Sequence, residues 1–254
     1  MYVLSIANQK GGVSKTTTTQ ALATLLNRQG KKTLAIDLDP QSNLSFAMKA
    51  DLENTPTVYN MLKGEVQAED ILQRTASGDI LPANILLSGA DTEFTTTGRE
   101  YLLKEAIQDI RQHYAYVVVD CPPALSILTI NAFAASDYVV IPSLADVFSL
   151  QGMAQLAQTI QSVKKYCNPT LEVAGILLTR YNKRTNLSSH IKKLLCHATQ
   201  NMDARLFETC VRNSISIQES QYQRETMTDY DEKSNAMQDY AAFLNELEGI
   251  IHGR

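Results

Sequence analysis

The sequence predicts an α/β domain with a doubly wound, mostly parallel sheet that is flanked by helices. Short apolar runs alternate with longer stretches of helical periodicity from the first residues onward. The runs at 117–119 and 139–141 contain only Val and Ile, which is typical of parallel strands covered by helices on both faces. The predicted strands are Tyr2–Ala7, Thr33–Leu38, Tyr116–Asp120, Asp137–Ile141 and Leu171–Thr179.

Helical patterns connect these strands, and the first one starts directly after the first strand. The predicted helices are Lys15–Gln29, Arg99–Gln112, Leu125–Ala135, Ser149–Tyr166 and Asn186–Thr199. Residues 41–98 are less regular and read as an insertion. The insertion contains predicted short helices at Val58–Leu62 and Ala68–Leu72 and a strand at Asp79–Leu81. Because no repeat or Pro/Gly-rich hinge interrupts the chain, we expect one domain over residues 1–254.

The composition is that of an ordinary globular domain. Apolar residues make up 44% and charged residues 20% of the 254 positions, which disfavours intrinsic disorder and coiled coil. The net charge of −4 excludes a globally basic nucleic-acid binder. No apolar run could span a bilayer and no signal sequence is evident, so we expect a cytoplasmic protein. Since only nine residues precede Lys10, we expect no N-terminal helix-turn-helix domain.

A glycine-containing loop joins the first predicted strand to the first helix. Its members are Lys10, Gly11, Gly12, Val13, Ser14, Lys15, Thr16 and Thr17. Such a loop directs backbone N–H groups and the positive end of a helix at one point, which favours phosphate. Lys15 would add a full positive charge, and the Thr16 hydroxyl suits Mg²⁺, which prefers oxygen ligands. The usual P-loop spelling G-x-x-x-x-G-K-[ST] is not met, because Gln9 and Ser14 occupy its glycine positions.

Acidic residues mark the ends of two further strands. Asp37 and Asp39 lie at the end of the second strand, and Asp120 ends strand Tyr116–Asp120. The carboxyl ends of parallel strands meet at one edge of a sheet, so these carboxylates and Lys15 should converge. Taken singly, each aspartate is also explained as a turn former or a strand terminator before proline. Together with a lysine at a helix start, they favour a site for a nucleotide and Mg²⁺.

Three ordered segments resemble the motifs of a known family. Lys10–Thr17, Asp37–Asn43 and Val119–Pro123 are similar to the deviant Walker A, A′ and B motifs of ParA/Soj-type partition ATPases, within the ParA–MinD superfamily. Residues 179–187, 211–221 and 229–240 also fit the ParA pattern. The resemblance covers nearly the whole chain except the insertion, and it implies a single P-loop domain that hydrolyses ATP with Mg²⁺.

The resemblance implies a role for each matched residue. Lys10, Lys15 and Asp39 would act in catalysis. Lys10 would reach the nucleotide of the other subunit in an ATP-sandwiched homodimer, and Asp39 would orient the attacking water. Thr16 would bind Mg²⁺, which Asp37 and Asp120 would support through water. This division suits phosphoryl transfer, which depends on positioning and charge neutralisation.

Ser14 departs from the family, which usually has glycine at this position. If the residue has a positive φ, serine would cost about 1 kcal/mol of strain; if it is helical, serine is tolerated. An alternative function is therefore a binding module with little turnover, in which ATP only locks the dimer.

The segment from Arg180 to Arg212 is basic on an otherwise acidic chain. Its seven cations and two acids give a net charge of +5, which leaves −9 for the remaining residues. On charge alone, this segment is either an ordinary solvated face or a contact for a polyanion. The resemblance favours DNA bound without sequence preference. The candidate contacts are Arg180, Lys183, Arg184, Lys192, Lys193 and Arg212.

The resemblance also implies partners and a location. An ATP-dependent homodimer would bind nucleoid DNA, and a ParB-like centromere-binding protein would stimulate an otherwise weak ATPase. The main alternative is a MinD-like membrane-associated positioning ATPase, which ends in a basic amphipathic helix. The predicted C-terminal helix Asn235–Arg254 instead carries Asp239, Glu246 and Glu248 among its polar positions, which anionic lipid would repel. We therefore expect this helix to pack on the sheet, with no membrane contact.

Overall fold

The computed structural model describes residues 1–53, 55–182, 195 and 204–253. The described strands are β1 (Tyr2–Ile6), β2 (Thr33–Asp37), β3 (Gln73–Thr75), β4 (Gly78–Leu81), β5 (Tyr116–Asp120), β6 (Tyr138–Leu144), β7 (Glu172–Tyr181) and β8 (Leu206–Arg212). They form one sheet in the order β3-β4-β2-β5-β1-β6-β7-β8, in which the β3/β4 pair is antiparallel and the other pairs are parallel.

Helices cover both faces of the sheet. The first half of the described chain contains α1 (Lys15–Arg28), α2 (Asn43–Ala47), α3 (Val58–Leu62), α4 (Ala68–Ile71), α5 (Ala90–Glu93), α6 (Leu102–Ala106) and α7 (Gln108–Arg111). The second half contains α8 (Ile127–Ala135), α9 (Val147–Tyr166), α10 (Ile215–Gln223), α11 (Met227–Tyr230) and α12 (Asn235–His252). Short 3₁₀ helices occur at Ile85–Gly89 and Arg99–Tyr101.

Residues of the central strands alternate between two buried layers. Val3, Val117 and Val119 pack with α3, α8 and α9, whereas Leu4 and Val118 pack with α1 and α12. Because both faces are buried, the strands read as continuous apolar runs rather than alternating ones. The predicted doubly wound, mostly parallel sheet is confirmed.

The position of β1 determines where a ligand can bind. β1 pairs with β5 on one side and with β6 on the other, so the strand order changes direction at this strand. In open parallel sheets a crevice forms beyond the carboxyl ends of the strands at such a point. The loop of residues 7–14, which connects β1 to α1, lies at this crevice, and Lys15–Thr17 form the first turn of α1 beside it.

Residues 41–98 contribute to the same sheet. β4 pairs in parallel with β2, and the β3–β4 hairpin extends the sheet by two strands at that edge. The side chains of α3 join the core on one face of the sheet. The irregular segment between 41 and 98 therefore adds an edge to the domain core.

One prediction needs correction, one strand was missed, and one predicted helix lies outside the described residues. The single helix predicted over Arg99–Gln112 is a 3₁₀ helix followed by α6 and α7, interrupted at Ile107 where ψ is near 1°. Leu103, Ile107 and Ile110 are all buried despite the interruption. Their spacing along the sequence is therefore the same as that on one face of a continuous helix. β8 was not predicted at all. The predicted helix Asn186–Thr199 lies outside the described residues, apart from position 195.

The C-terminal helix α12 packs on the sheet, as predicted. Its apolar face buries Tyr240, Phe243 and Leu247 against β8 and α1. The Glu246 carboxylate accepts hydrogen bonds from the backbone N–H groups of Glu208 and Thr209 at 2.8 and 3.0 Å. A helix carboxylate thus occupies the outer backbone edge of β8. Among the helices described, none has the length and apolar character needed to cross a bilayer.

Candidate active site

The loop between β1 and α1 lines a cleft at the carboxyl end of the sheet. Gly12 has a φ of +73°, a conformation that side chains other than glycine rarely adopt. The carbonyl of buried Val13 accepts a hydrogen bond from the Thr179 hydroxyl at 3.0 Å, which ties the loop to β7. The Lys15 ammonium donates to the Lys10 carbonyl at 3.2 Å, so the loop also closes on itself.

Lys15 is a buried cation at the start of α1. Burial lowers its pKa, while the carboxylates of Asp120 and Asp39 act in the opposite direction. Thr16 and Thr17 follow it in the first turn and line the same cleft. Unpaired helix N–H groups beside a buried ammonium form an arrangement that a phosphate group completes.

Ser14 has a φ of +67° and a ψ of +31°, directly before the first residue of α1. Glycine adopts this left-handed conformation freely, whereas serine pays about 1 kcal/mol for it. The Ser14 side chain makes no capping hydrogen bond to the helix. Of the two interpretations left open by the sequence, the structure therefore favours the strained one.

Asp37 and Asp120 occupy paired positions on neighbouring strands β2 and β5, and both are fully buried. Asp37 uses both of its carboxylate oxygens. Its Oδ1 accepts a hydrogen bond from the Asp39 N–H at 3.0 Å, and its Oδ2 accepts from the Ser45 N–H and hydroxyl at 2.9 and 2.7 Å. Asp37 thereby holds the segment that carries Asp39.

Asp120 has one oxygen left over. Its Oδ1 accepts a hydrogen bond from the Thr19 hydroxyl at 3.3 Å, whereas its Oδ2 has no hydrogen-bond partner among the described residues. Burial and repulsion from Asp37 raise the pKa of Asp120 well above its usual range. The Thr16 hydroxyl and the positive charge of Lys15 lower this pKa, but by less. A buried carboxylate with an unpaired oxygen is costly, so an ion or a water is expected there.

This donor set fits Mg²⁺. Among the residues that the structure describes, no group of three His, Cys, Asp or Glu side chains could hold a metal by itself. A Thr16 hydroxyl and a spare Asp120 oxygen suit a hard cation that keeps several waters and takes further ligands from phosphate. Burial also raises the pKa of Asp37 to about 6, so a nearby cation would favour ionisation of this carboxyl too.

Asp39 lies in the same cleft as Lys15 and Thr16. Its Oδ1 accepts a hydrogen bond from the Gln41 N–H at 3.0 Å, which fixes the carboxylate at the turn before α2. The structure therefore brings together the charged residues that the sequence predicted at the carboxyl ends of β1, β2 and β5.

Lys10 has a partner that the sequence analysis missed. Its ammonium forms an ion pair of 2.5 Å with Asp146, which caps α9 by accepting a hydrogen bond from the Ser149 N–H at 2.8 Å. Partial burial would raise the pKa of Asp146, but hydrogen bonds from Lys10 and Ser149 lower it. The available signal was an acidic residue between a strand and a helix, which indicates only a helix cap.

The cleft has a volume of about 600 Å³ and a second wall. This far wall consists of Asn213, Ser214, Ile217, Gln218 and Gln221. The Gln221 amide donates to the Thr17 hydroxyl at 3.2 Å, so α10 is held against α1. Sequence reasoning missed the far wall, because polar residues after an unpredicted strand carry no periodic signal.

The candidate DNA contacts occupy different settings. Arg180 lines the cleft, and its φ is +50°. Arg212 forms a forked ion pair with Asp239, with Nε and Nη2 each 2.8 Å from a carboxylate oxygen. The remaining four candidates, Lys183, Arg184, Lys192 and Lys193, lie outside the described residues.

The chain is similar over nearly its whole length to chromosome-partitioning proteins. A family model described as an AAA domain matches residues 1–173. The sporulation initiation inhibitor protein Soj of Bacillus subtilis is 36% identical over 251 residues, which cover 96% of this chain and 97% of Soj. The chromosome partitioning protein ParA of Caulobacter vibrioides is 36% identical over 253 residues, which cover 97% of this chain and 94% of ParA.

Solved structures show the same fold. Cobyrinic acid a,c-diamide synthase from Mycobacterium smegmatis, solved with an ATP analog and magnesium, is 32% identical, with a TM-score of 0.86 over 100% of this chain and 97% of that one. MinD from Pyrococcus horikoshii, complexed with Mg-ADP, is 22% identical, with a TM-score of 0.79 over 98% and 97% of the two chains, which shows a shared fold. Because more than a third of its residues match Soj and ParA along almost the entire length of each, the protein belongs to the Soj/ParA family of partition ATPases.

Proposed function

We propose that the protein is a Mg²⁺-dependent ATPase that acts as a switch in DNA partition. The observation that carries this proposal is the unpaired, buried Asp120 oxygen beside Lys15 and Thr16. A cation and a phosphate together would neutralise this cluster. The ATP analog and magnesium in the M. smegmatis structure support the same ligands here.

Each residue of the cleft would have a distinct task. Backbone N–H groups of Gly11–Thr17 and the Lys15 ammonium would bind the phosphates. Thr16 and Asp120 would hold Mg²⁺, which neutralises charge on the transferred phosphoryl group when bound. Asp37 would act indirectly, because both of its oxygens already hold the segment 39–45. Asp39 would orient the attacking water.

The environment of Lys10 supports the proposal that the protein forms a dimer. The Lys10 ammonium is paired with Asp146, while the Lys15 ammonium already bonds within the phosphate loop. We propose that Lys10 completes the site of a second subunit, so that ATP and Mg²⁺ drive dimerisation. Light scattering with a slowly hydrolysed ATP analogue should show a doubled mass, and Lys10→Ala should weaken dimer formation. An unchanged mass of the wild-type protein would contradict this mechanism.

The dimer would bind DNA without sequence preference through its basic segment. The net charge of +5 between Arg180 and Arg212 supports this, and the proposed contacts are Lys183, Arg184, Lys192 and Lys193. Arg212 would contribute less, because Asp239 already binds its guanidinium. Two basic segments in one dimer would act together, so DNA affinity should depend on ATP.

Salt titration tests the DNA contact. Each phosphate neutralised contributes about −0.9 to the slope of log affinity against log salt concentration, so Arg184→Ala should flatten the slope by about one unit. Arg28→Ala is a matched control, because Arg28 is an exposed arginine of α1 paired with Asp229 and Glu232. Gel-shift titrations with the ATP analogue would measure both variants, and equal slopes for Arg184→Ala and wild type would remove Arg184 from the DNA contact.

The decisive measurement is ATP hydrolysis by the wild-type protein alone, with DNA, and with DNA plus a ParB-like centromere-binding protein. We expect weak hydrolysis alone and stimulation by the partner, after which the protein would leave the nucleoid. Absent hydrolysis under all conditions, with dimerisation retained, would support the ATP-locked binding module that Ser14 suggests. Sedimentation with anionic vesicles and no affinity for DNA at low salt would support the MinD-like alternative.

A further inference from the structure

Arg180 is fixed at the cleft by its neighbours in β7. The Thr179 hydroxyl before it donates to the Val13 carbonyl of the phosphate loop, and Thr179 is almost fully buried. Tyr181 after it is buried and pairs in register with Arg212 of β8. The backbone of Arg180 is therefore held between the phosphate loop on one side and β8 on the other.

The backbone of Arg180 is strained. Its φ of +50° lies in the left-handed region, although the residue is part of a strand. This conformation destabilises a residue other than glycine by about 1 kcal/mol. Such strain persists where the surroundings determine the conformation, and it concentrates at ligand-binding sites.

The guanidinium of Arg180 is available for a ligand. The side chain is exposed and lines the cleft. Among the described residues it makes no hydrogen bond or ion pair, whereas Arg28, Arg99 and Arg212 each pair with a carboxylate. Within the part of the chain that the structure describes, the cleft thus contains an exposed arginine that forms an ion pair with none of the carboxylates.

The position of Arg180 favours the base of a nucleotide over its phosphates. β7 is the second strand from β1, which is about 10 Å across the sheet. The same end of the cleft is lined by Asn213, Ser214 and Gln218, whose amide and hydroxyl groups match the polar edge of a heterocycle. A guanidinium is planar and stacks on aromatic rings, so Arg180 can cover the face of such a ring.

We propose that Arg180 stacks on the base of the bound nucleotide and increases the affinity of the ATP site, instead of contacting DNA. The inference rests on the proposed ATPase function, and it assigns Arg180 to the nucleotide rather than to the basic segment that follows it.

The test compares a nucleotide with the same phosphates without a base. Isothermal titration calorimetry with Mg²⁺ would measure the affinity for a slowly hydrolysed ATP analogue and for inorganic triphosphate. Arg180→Gly keeps the backbone conformation accessible and removes the guanidinium, so it should weaken binding of the analogue about tenfold. Its affinity for inorganic triphosphate should equal that of the wild type. Arg180→Lys should recover only part of the loss, because an ammonium keeps the charge without the planar group.

Lys49→Gly is the matched control. Lys49 is also an exposed cation with a left-handed backbone, φ +59°, but it does not line the cleft. This variant removes a positive charge and relieves the same kind of strain, so its affinities for the ATP analogue and for inorganic triphosphate should equal those of the wild type.

The Arg180→Gly variant should also bind DNA as the wild type does when the ATP analogue is saturating.

Three results would overturn the assignment. Equal weakening of the analogue and of triphosphate by Arg180→Gly would identify a phosphate contact. Normal analogue binding with weakened DNA binding would return Arg180 to the DNA surface. Failure of the wild-type protein to bind the analogue would overturn the proposed function together with this inference, whereas the first two results leave that function intact.

Discussion

The two ends of the cleft differ in how they hold their charged groups. At the ends of β2 and β5, Asp37 and Asp120 are fully buried. At the ends of β7 and β8, Arg180 is exposed, and the far wall that follows β8 is uncharged and, apart from Ile217, polar. The buried end can stabilise charge that develops during a reaction, because its groups are shielded from bulk solvent and fixed in advance. The exposed end is suited to binding, which tolerates water.

This contrast makes a general prediction about variants. Changes at the buried end should alter hydrolysis, or the dependence of stability on pH. Changes at the exposed end should alter the affinity for ligands and leave the rate of hydrolysis at saturating ATP nearly intact.

Asp39→Ala should produce the largest effect. ATP hydrolysis should fall about 100-fold or more, because the carboxylate is assigned to the attacking water. ATP binding and dimerisation should persist, and a phosphate-release assay at saturating ATP would measure the loss. Asp39→Asn is the matched control, because its oxygen can still accept the Gln41 N–H. If Asp39→Asn hydrolyses ATP normally, the shape of the turn matters and the charge does not.

The stability of the protein without nucleotide or Mg²⁺ should depend strongly on pH. Burial raises the pKa of Asp37 to about 6 and the pKa of Asp120 well above its usual range. The folded protein therefore holds these protons more tightly than the unfolded chain does. The free energy of unfolding should fall as the pH rises from about 4 through about 6.

Urea denaturation at a series of pH values would measure this effect. Asp120→Asn should flatten the pH dependence, because one of the two buried ionisations is removed. Mg²⁺ with the ATP analogue should also flatten it, because a bound cation favours the ionised carboxylates. A stability that increases with pH over this range would contradict the electrostatics of the buried end.

The fold and the buried end could be predicted from sequence for a physical reason. Strands covered on both faces must be apolar throughout, so runs such as 117–119 identify themselves. Polar groups at the ends of such runs, such as Asp37 and Asp120, then fall at one edge of the sheet. The prediction needed only the order of the segments along the chain.

Other features depend on tertiary contacts that a sequence pattern does not reveal. β8 pairs with β7 and is covered by α12, so its residues show no simple alternation. The interruption at Ile107 preserves the apolar spacing of a helix. The backbone conformation of Ser14 and the pairing of Lys10 with Asp146 likewise became visible only in three dimensions.

Substitutions of Ser14 allow the backbone strain in the loop between β1 and α1 to be measured. Ser14→Gly should be more stable to urea than Ser14→Ala by about 1 kcal/mol, because alanine keeps the Cβ atom that disfavours a positive φ. Both variants lack the hydroxyl, so their difference isolates the backbone effect. Equal stabilities would mean that the loop relaxes around a Cβ atom at no cost.

Asp146→Asn should have the smallest effect on stability. The side chains of Lys10 and Asp146 are 30% and 33% exposed, and exposed pairs contribute at most about 1 kcal/mol. Dimerisation with the ATP analogue should nevertheless strengthen, because Lys10 no longer has to leave a partner in its own subunit. Light scattering would measure this, with Glu232→Gln as the control that breaks the exposed ion pair to Arg28. Weaker dimerisation of Asp146→Asn would instead assign Asp146 to the interface.

The carboxylates on α12 also limit how copies of the protein can aggregate. An exposed edge strand is a template on which another chain can add a strand, and repeated addition leads to fibres. Glu246 and Asp239 occupy the backbone N–H groups of Glu208, Thr209 and Arg212, so β8 cannot offer these donors to a neighbour. The opposite edge, β3, is only three residues long. Protein crowded at high local concentration is thus protected at both edges from polymerising strand by strand.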